Sequence, residues 1–221
     1  MSGKPGNLTV LGGARMDRRR LMAFAGVAAV AASGLKATGA GAQDTFKVAF
    51  IYVGPVGDLG WSYAHDQGRK YLEENVAGVE TAYSENVPEN GSDAERVFTD
   101  YAQKGYKLII GTSFGYMDAM VNVAKKFPDA QFIHMTGYKT AENLGTGFGK
   151  IEEPRYVSGL IAGKMSASGK LGYVAANPIP EVIRGINAFT LGVRKSNPAA
   201  TVQVVWTNTW YDPQKERQAA E

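Results

Sequence analysis

Residues able to do chemistry in this chain gather in turn-rich loops that follow apolar runs. The first loop, Tyr52-Val53-Gly54-Pro55-Val56-Gly57-Asp58-Leu59-Gly60-Trp61-Ser62, sets three glycines, a carboxylate and a large aromatic between a strand signal and a helix signal. Its G-x-x-G-x-x-G spacing differs from the G-x-G-x-x-G of dinucleotide sites, so it reads as a tight turn or small-ligand loop, and no cofactor is expected. The second loop, Gly111-Thr112-Ser113-Phe114-Gly115, matches G-x-S-x-G between a strand and a helix, the setting of a hydrolase nucleophile elbow. A nucleophilic serine needs an imidazole base held by an acid. His65 and His134 are the only histidines, and His134 ends the very next strand, whereas the hydrolase order puts its histidine late. The other reading turns backbone N–H groups and the Ser113 hydroxyl toward a ligand at a helix N-terminus.

Three tryptophans add a second theme. Trp206 ends an apolar run and is expected in the core. Trp61 and Trp210 sit instead in polar loops, Gly60-Trp61-Ser62-Tyr63 and Asn208-Thr209-Trp210-Tyr211-Asp212-Pro213. Aromatics at the carboxyl ends of two strands either cap a core or face each other across a cleft and sandwich a flat ring. The chain has no cysteine, which removes disulfides, thiolate metal sites and thiol nucleophiles. The two histidines lack ligand-like spacing, and no metal site is expected.

The elements that must position these loops alternate between strands and helices. Phe46–Val53 is nearly continuous apolar, as for a strand buried on both faces of a parallel sheet. A helix is expected over 62–75 and strands over 79–83, 107–110, 131–135 and 143–148. Ser92-Asp93-Ala94-Glu95 reads as a capping box, with Ser92 bonding the N–H of Glu95. Helical stripes follow at Ala94, Val97, Phe98 and Tyr101, and at Met117, Met120, Val121 and Ala124. A helix over 152–165 is expected to turn Tyr156, Val157, Leu160 and Ile161 inward. The pattern then restarts, with a strand at 170–175, a helix at 180–194 opened by Pro180, a strand at 201–206 and a helix beginning at Pro213. Such alternation argues for an α/β fold with parallel sheets, residues 43–168 forming one lobe and residues 169–221 part of a second.

The front of the chain reads as an address. Asp17-Arg18-Arg19-Arg20-Leu21-Met22 precedes an apolar run of about 15 residues, short of the roughly 20 needed to span a bilayer. Ala40-Gly41-Ala42 supplies an A-x-A cleavage site, so residues 1–42 are expected to be a signal peptide cleaved after Ala42, with paired arginines as in twin-arginine (Tat) export. Six of the 24 basic residues and one of the 21 acidic residues lie in 1–42, leaving 18 basic and 20 acidic residues in the body. The net charge of +3 is therefore no argument for a nucleic-acid partner.

Several ordered motifs in residues 46–221 resemble the basic membrane protein (BMP) family of ABC-transporter substrate-binding proteins, of the purine-nucleoside receptor type. Asp58-Leu59-Gly60-Trp61-Ser62-Tyr63, followed by Gly68, is similar to the family's D-x-S-F-N-Q loop, with Trp61 at the stacking aromatic and Ser62 and Tyr63 in place of Asn and Gln. Glu153–Gly159 resembles E-G-S-F-L-A-G. Thr209-Trp210-Tyr211-Asp212-Pro213 resembles S-F-x-D-P, which puts Trp210 at a second stacking position. The resemblance implies a type I periplasmic-binding fold of two Rossmann-like lobes, joined by a hinge and closing on solute. It implies a monomeric periplasmic receptor, not an enzyme, that delivers a purine base or nucleoside to an ABC permease in the inner membrane. Trp61 and Trp210 are then expected to sandwich the base, with Ser113 bonding its polar edge and Asp58, Phe114, Tyr116 and Tyr138 at the same cleft. A sugar or amino-acid receptor on the same fold and an exported serine hydrolase using Ser113 are the rival readings.

Overall fold

A computed structural model describes residues 45–221. The expected signal peptide, residues 1–42, lies outside the described residues. β1 (Phe46–Ile51), β2 (Val79–Ser84), β3 (Leu108–Gly111), β4 (Gln131–Met135) and β5 (Leu144–Gly147) form one sheet in the order β2-β1-β3-β4-β5, and every pairing in it is parallel. Helices α1 (Trp61–Asn75), α2 (Gly91–Gln103) and α3 (Met117–Lys126) connect these strands. β1 explains the layering. Its Ala49 and Ile51 pack with Phe98, Met120 and Val123 of α2 and α3, while Val48, Phe50 and Tyr52 pack with Leu72 of α1. Successive strand residues point to opposite faces, so a continuously apolar strand has to be covered on both.

Beyond β5, α4 (Glu152–Met165) leads to a second parallel sheet of β6 (Lys170–Ala175) and β7 (Thr201–Trp206), which α5 (Pro180–Ser196) connects and α6 (Pro213–Ala220) follows. These elements fall close to their expected ranges, and three details differ. The N-cap of α2 is Asn90 rather than Ser92; its side chain accepts from Asp93 N at 2.9 Å and its amide donates back to the Asp93 carboxylate. Asn90 and Asp93 therefore satisfy each other two positions upstream of the expected box. Trp206 is half-buried rather than a core residue.

The third difference concerns α4. Val157 and Ile161 are exposed, and the helix packs on α5 through Gly159 and Gly163. A Cβ at Gly159 would collide with the Phe189 carbonyl oxygen, and one at Gly192 with that of Tyr156. Residues four apart share a helix face, so this glycine pair lets two backbones touch where larger side chains would hold them apart. Although α4 lies inside the range read as the first lobe, its packing ties it to α5.

Under α1 lies a buried charge network. Asp66 accepts from Arg69 Nε at 2.6 Å, and Lys70 reaches its other oxygen at 3.0 Å. Arg69 also bonds Glu73 and Thr81, and its guanidinium lies 4.8 Å from the Tyr83 ring centroid. Burial disfavours the Asp66 carboxylate, but the bonds from Arg69 and Lys70 outweigh that and hold it below its ordinary value of 3.8. The unfolded chain therefore takes up this proton more readily than the folded one. The pair's contribution to stability is complete above the ordinary value and is lost as pH falls through the depressed one. Asp66→Ala leaves the buried Arg69 guanidinium only the more exposed Glu73 as charge partner and is expected to lower the unfolding free energy by about 3 kcal/mol in urea titrations at pH 7. The difference from wild type should shrink as the pH drops below about 4.

Candidate functional site

In a 2-1-3-4-5 sheet the connections leaving β1 and β3 diverge to opposite faces, and ligands bind in the crevice this opens at the strands' carboxyl ends. The loops after β1 and β3 are the two singled out above. They border a cleft of ≈ 490 Å³, within the range of about 300–1,000 Å³ usual for small-molecule sites. Trp61, Ser62, Ser113 and Thr136 line it from the side of the first sheet, and Arg155, Glu181, Trp210 and Tyr211 from that of the second.

Asp58 shapes the first loop. Its carboxylate accepts from Gly60 N, Ser62 N and Tyr63 N at 2.8–3.0 Å, satisfying the free N–H groups that open α1. Leu59, held at φ 53°, makes the turn between them. The Trp61 ring at the head of α1 is thereby fixed, and its Nε1 donates to the Thr112 carbonyl at 2.6 Å. His65, one turn on, packs on the ring at 4.4 Å between centroids, with Phe148 at 6.1 Å. Burial pushes the His65 imidazole below its usual value, against the hydrogen bond it shares with the Trp61 carbonyl.

Trp210 is held by a residue that sequence reasoning missed. Glu89, in the loop between β2 and α2, accepts from Trp210 Nε1 at 2.7 Å through one oxygen. Its other oxygen takes the Ser113 hydroxyl at 2.5 Å and Gly115 N at 2.8 Å. Nothing in the chain links Glu89 to Trp210, which stands 121 residues later. Both indoles thus have their single polar atom occupied by protein, and what they offer the cleft is ring face.

Of the seven residues expected at the site, Asp58, Trp61, Ser113, Phe114 and Trp210 line this cleft. Tyr116 does not: it is fully buried, donates to the Val87 carbonyl at 2.7 Å and meets Phe98 edge-on, so it is a core residue. Burial pushes its phenol far above the usual value. Tyr138 is 71% exposed and stands outside the lining, its ring 6.3 Å from that of Phe114. The histidine base that the hydrolase reading needs is not placed at the Ser113 hydroxyl. His134 is buried and its Nε2 donates to the Ser113 carbonyl at 2.6 Å, while the Ser113 hydroxyl is bound to Glu89. Among the described residues no group of three or more His, Asp or Glu is placed to hold a metal ion.

Residues 45–221 match the Bmp family, described as ABC transporter substrate-binding protein, PnrA-like. The chain belongs to the Bmp family. A purine-binding protein of Brucella abortus (strain 2308) is 54% identical over 180 residues, 81% of this chain and 51% of that protein. A protein of Haloferax volcanii that carries an ABC transporter glucose-binding name is 50% identical over 177 residues, 80% of this chain and 45% of that protein. Among solved structures, a solute-binding protein of an ABC transporter system from Aeropyrum pernix K1 shares the fold with a TM-score of 0.71 at 22% identity. That match covers 79% of this chain and 51% of the other. The chain spans about half the length of the curated relatives it matches.

Within this Bmp-family cleft Glu89 gathers donors from both sheets. Glu89→Ala leaves the Trp210 N–H and the Ser113 hydroxyl without their acceptor, at a cost of about 1–3 kcal/mol in unfolding free energy. Acrylamide quenching of the indole fluorescence should rise with it. Quenching equal to wild type would show that Trp210 is held by packing alone.

Proposed function

We propose that this Bmp-family chain is the solute receptor of an ABC importer and that its cleft takes a purine base or nucleoside. One observation carries the ligand class: Trp61 and Trp210 line one cleft from two sheets, each with its N–H bonded to protein and only its face left to a ligand. Faces of this kind suit a flat heteroaromatic ring, each stack being worth ~1–3 kcal/mol by analogy with base–aromatic stacking. The purine-binding name of the Brucella relative supports the same class.

In this reading ligand bridges the two lobes, stabilises the closed form about a hinge, and the closed form is what a membrane permease recognises. The receptor works as a monomer outside the cytoplasmic membrane, reached through the signal peptide read in residues 1–42. Catalysis is not part of its role. A sugar receptor is the second reading, favoured by the glucose-binding name of the Haloferax relative. A hexose presents hydroxyls around its whole rim. The buried polar atoms left without a partner in this cleft are Ser62 Oγ, Thr136 Oγ1 and Glu181 Oε2, a sparse set for such a rim.

Calorimetric titration of the 221-residue protein with adenine, adenosine, inosine and glucose separates the two. A purine base or nucleoside is expected to bind, glucose is not, and Trp61→Ala should weaken the purine at least tenfold, equivalent to about 1.4 kcal/mol. Binding of glucose alone, or unchanged purine affinity in the variant, would overturn the aromatic clamp.

A further inference from the structure

Three polar atoms in the cleft are buried and have no hydrogen-bond partner within the protein: Ser62 Oγ, Thr136 Oγ1 and Glu181 Oε2. They come from three separate elements. Ser62 sits in the first turn of α1 and is 1% exposed, Thr136 follows β4, and Glu181 stands in the first turn of α5 behind Pro180. Buried polar groups are nearly always paired, because an unpaired one forfeits its bonds to water without replacement. Three orphans converging on one cavity call for a common partner.

Glu181 is the most telling of the three. Cations stand close by without taking it up: Arg184, one turn along α5, pairs with Glu152 at 3.4 Å, and Arg155 lines the same cleft without bonding it. The carboxylate does not cap its own helix either, since the N-cap is Ile179 with no side-chain bond. An ionised carboxylate only accepts hydrogen bonds, so its missing partner is a donor. On the edge of a purine, an exocyclic amino group is a donor, whereas an oxopurine offers its N1–H donor only beside an oxo oxygen, whose lone pairs a carboxylate repels.

Resting on the purine reading of the cleft, we infer that Glu181 is the specificity residue that accepts a hydrogen bond from an exocyclic amino group, selecting amino- over oxopurines. Ser62 and Thr136, each able to donate or accept, serve the ring nitrogens. The backbone at Thr136 is consistent with such a role, because a β-branched residue at φ 75° is strained, and such strain gathers at ligand sites. Burial also pushes the Glu181 carboxyl up, with Arg184 opposing, and a donor from the ligand would hold it ionised.

Adenine, 2-aminopurine, hypoxanthine and unsubstituted purine are titrated calorimetrically into the wild-type chain, Glu181→Met and Trp61→Ala. The wild type should bind adenine or 2-aminopurine at least tenfold tighter than unsubstituted purine, and tighter than hypoxanthine, whose N1–H lies beside its oxo group. Glu181→Met should bring the amino and unsubstituted rings within about twofold of each other and leave the melting temperature unchanged or raised, since an unpaired buried oxygen is removed. An amino preference that survives Glu181→Met overturns the inference while leaving the clamp standing, provided Trp61→Ala weakens every ring. Equal losses for all rings together with a lowered melting temperature would assign Glu181 to packing, and also overturn it. If none of the four rings binds the wild type, and neither adenosine nor inosine does, the purine reading fails and this inference with it.

Discussion

One carboxylate ties the two walls of the cleft together. Glu89 receives the Ser113 hydroxyl and the Gly115 N–H from the loop after β3, and the Trp210 indole from the loop after β7. A carboxylate has room for about four such bonds, and three charge-assisted ones in one place define a position more sharply than packing of loop residues can. The geometry is tight enough that a Cβ on Gly115 would stand 2.7 Å from the Glu89 side chain. The orientation of Trp210, and with it the shape of the far wall, depends on an acid that itself stands outside the cleft lining.

The near wall is fixed by different means. Asp58 organises the first turn of α1, and the Asp66–Arg69 network anchors the same helix against β1 and β2 through Tyr52, Tyr83 and Thr81. A buried ion pair is weak evidence for net stability but strongly resists losing one partner, so it fixes the register of the helix more than it deepens the energy minimum. Trp61, at the head of that helix, inherits its placement. In physical terms the two jaws are indoles whose only donors are used for orientation, which leaves dispersion and π contact as what they supply.

Much of this was legible in the chain, for reasons that differ by element. β1 announced itself because a strand covered on both faces has no polar alternation, and the two loops at the switch point announced themselves through glycines next to an aromatic. Tyr116 misled because it follows Ser113 closely: the short 3₁₀ turn at Phe114–Tyr116 rotates its ring into the core, and no periodicity reports a single turn. Val157 and Ile161 misled because apolar spacing marks the inward face only when side chains make the contact. In α4 the contact is made by backbone, and the signal was the Gly159–Gly163 pair. Glu89 left no local trace, since its meaning depends on a residue 121 positions away.

Thr136 and Glu181 were not singled out in the sequence, and Ser62 entered only as the residue standing in place of the family's Asn. What singles them out is an energetic imbalance that a sequence does not carry. Each orphaned atom on its own costs about 1–3 kcal/mol, and a fold has no reason to keep three such costs in one cavity unless something else offsets them. In the proposed purine reading, the same three atoms, satisfied by a bound ligand, would tell one flat ring from another, because stacking on Trp61 and Trp210 is nearly indifferent to ring substituents. On that proposal affinity and selectivity would be divided between different residues: the faces would hold any ring of the right size, and the edges would decide which. That division also explains why the aromatic loops stand out by composition while the discriminating groups do not, since a serine, a threonine and a glutamate are commonplace until their surroundings are known.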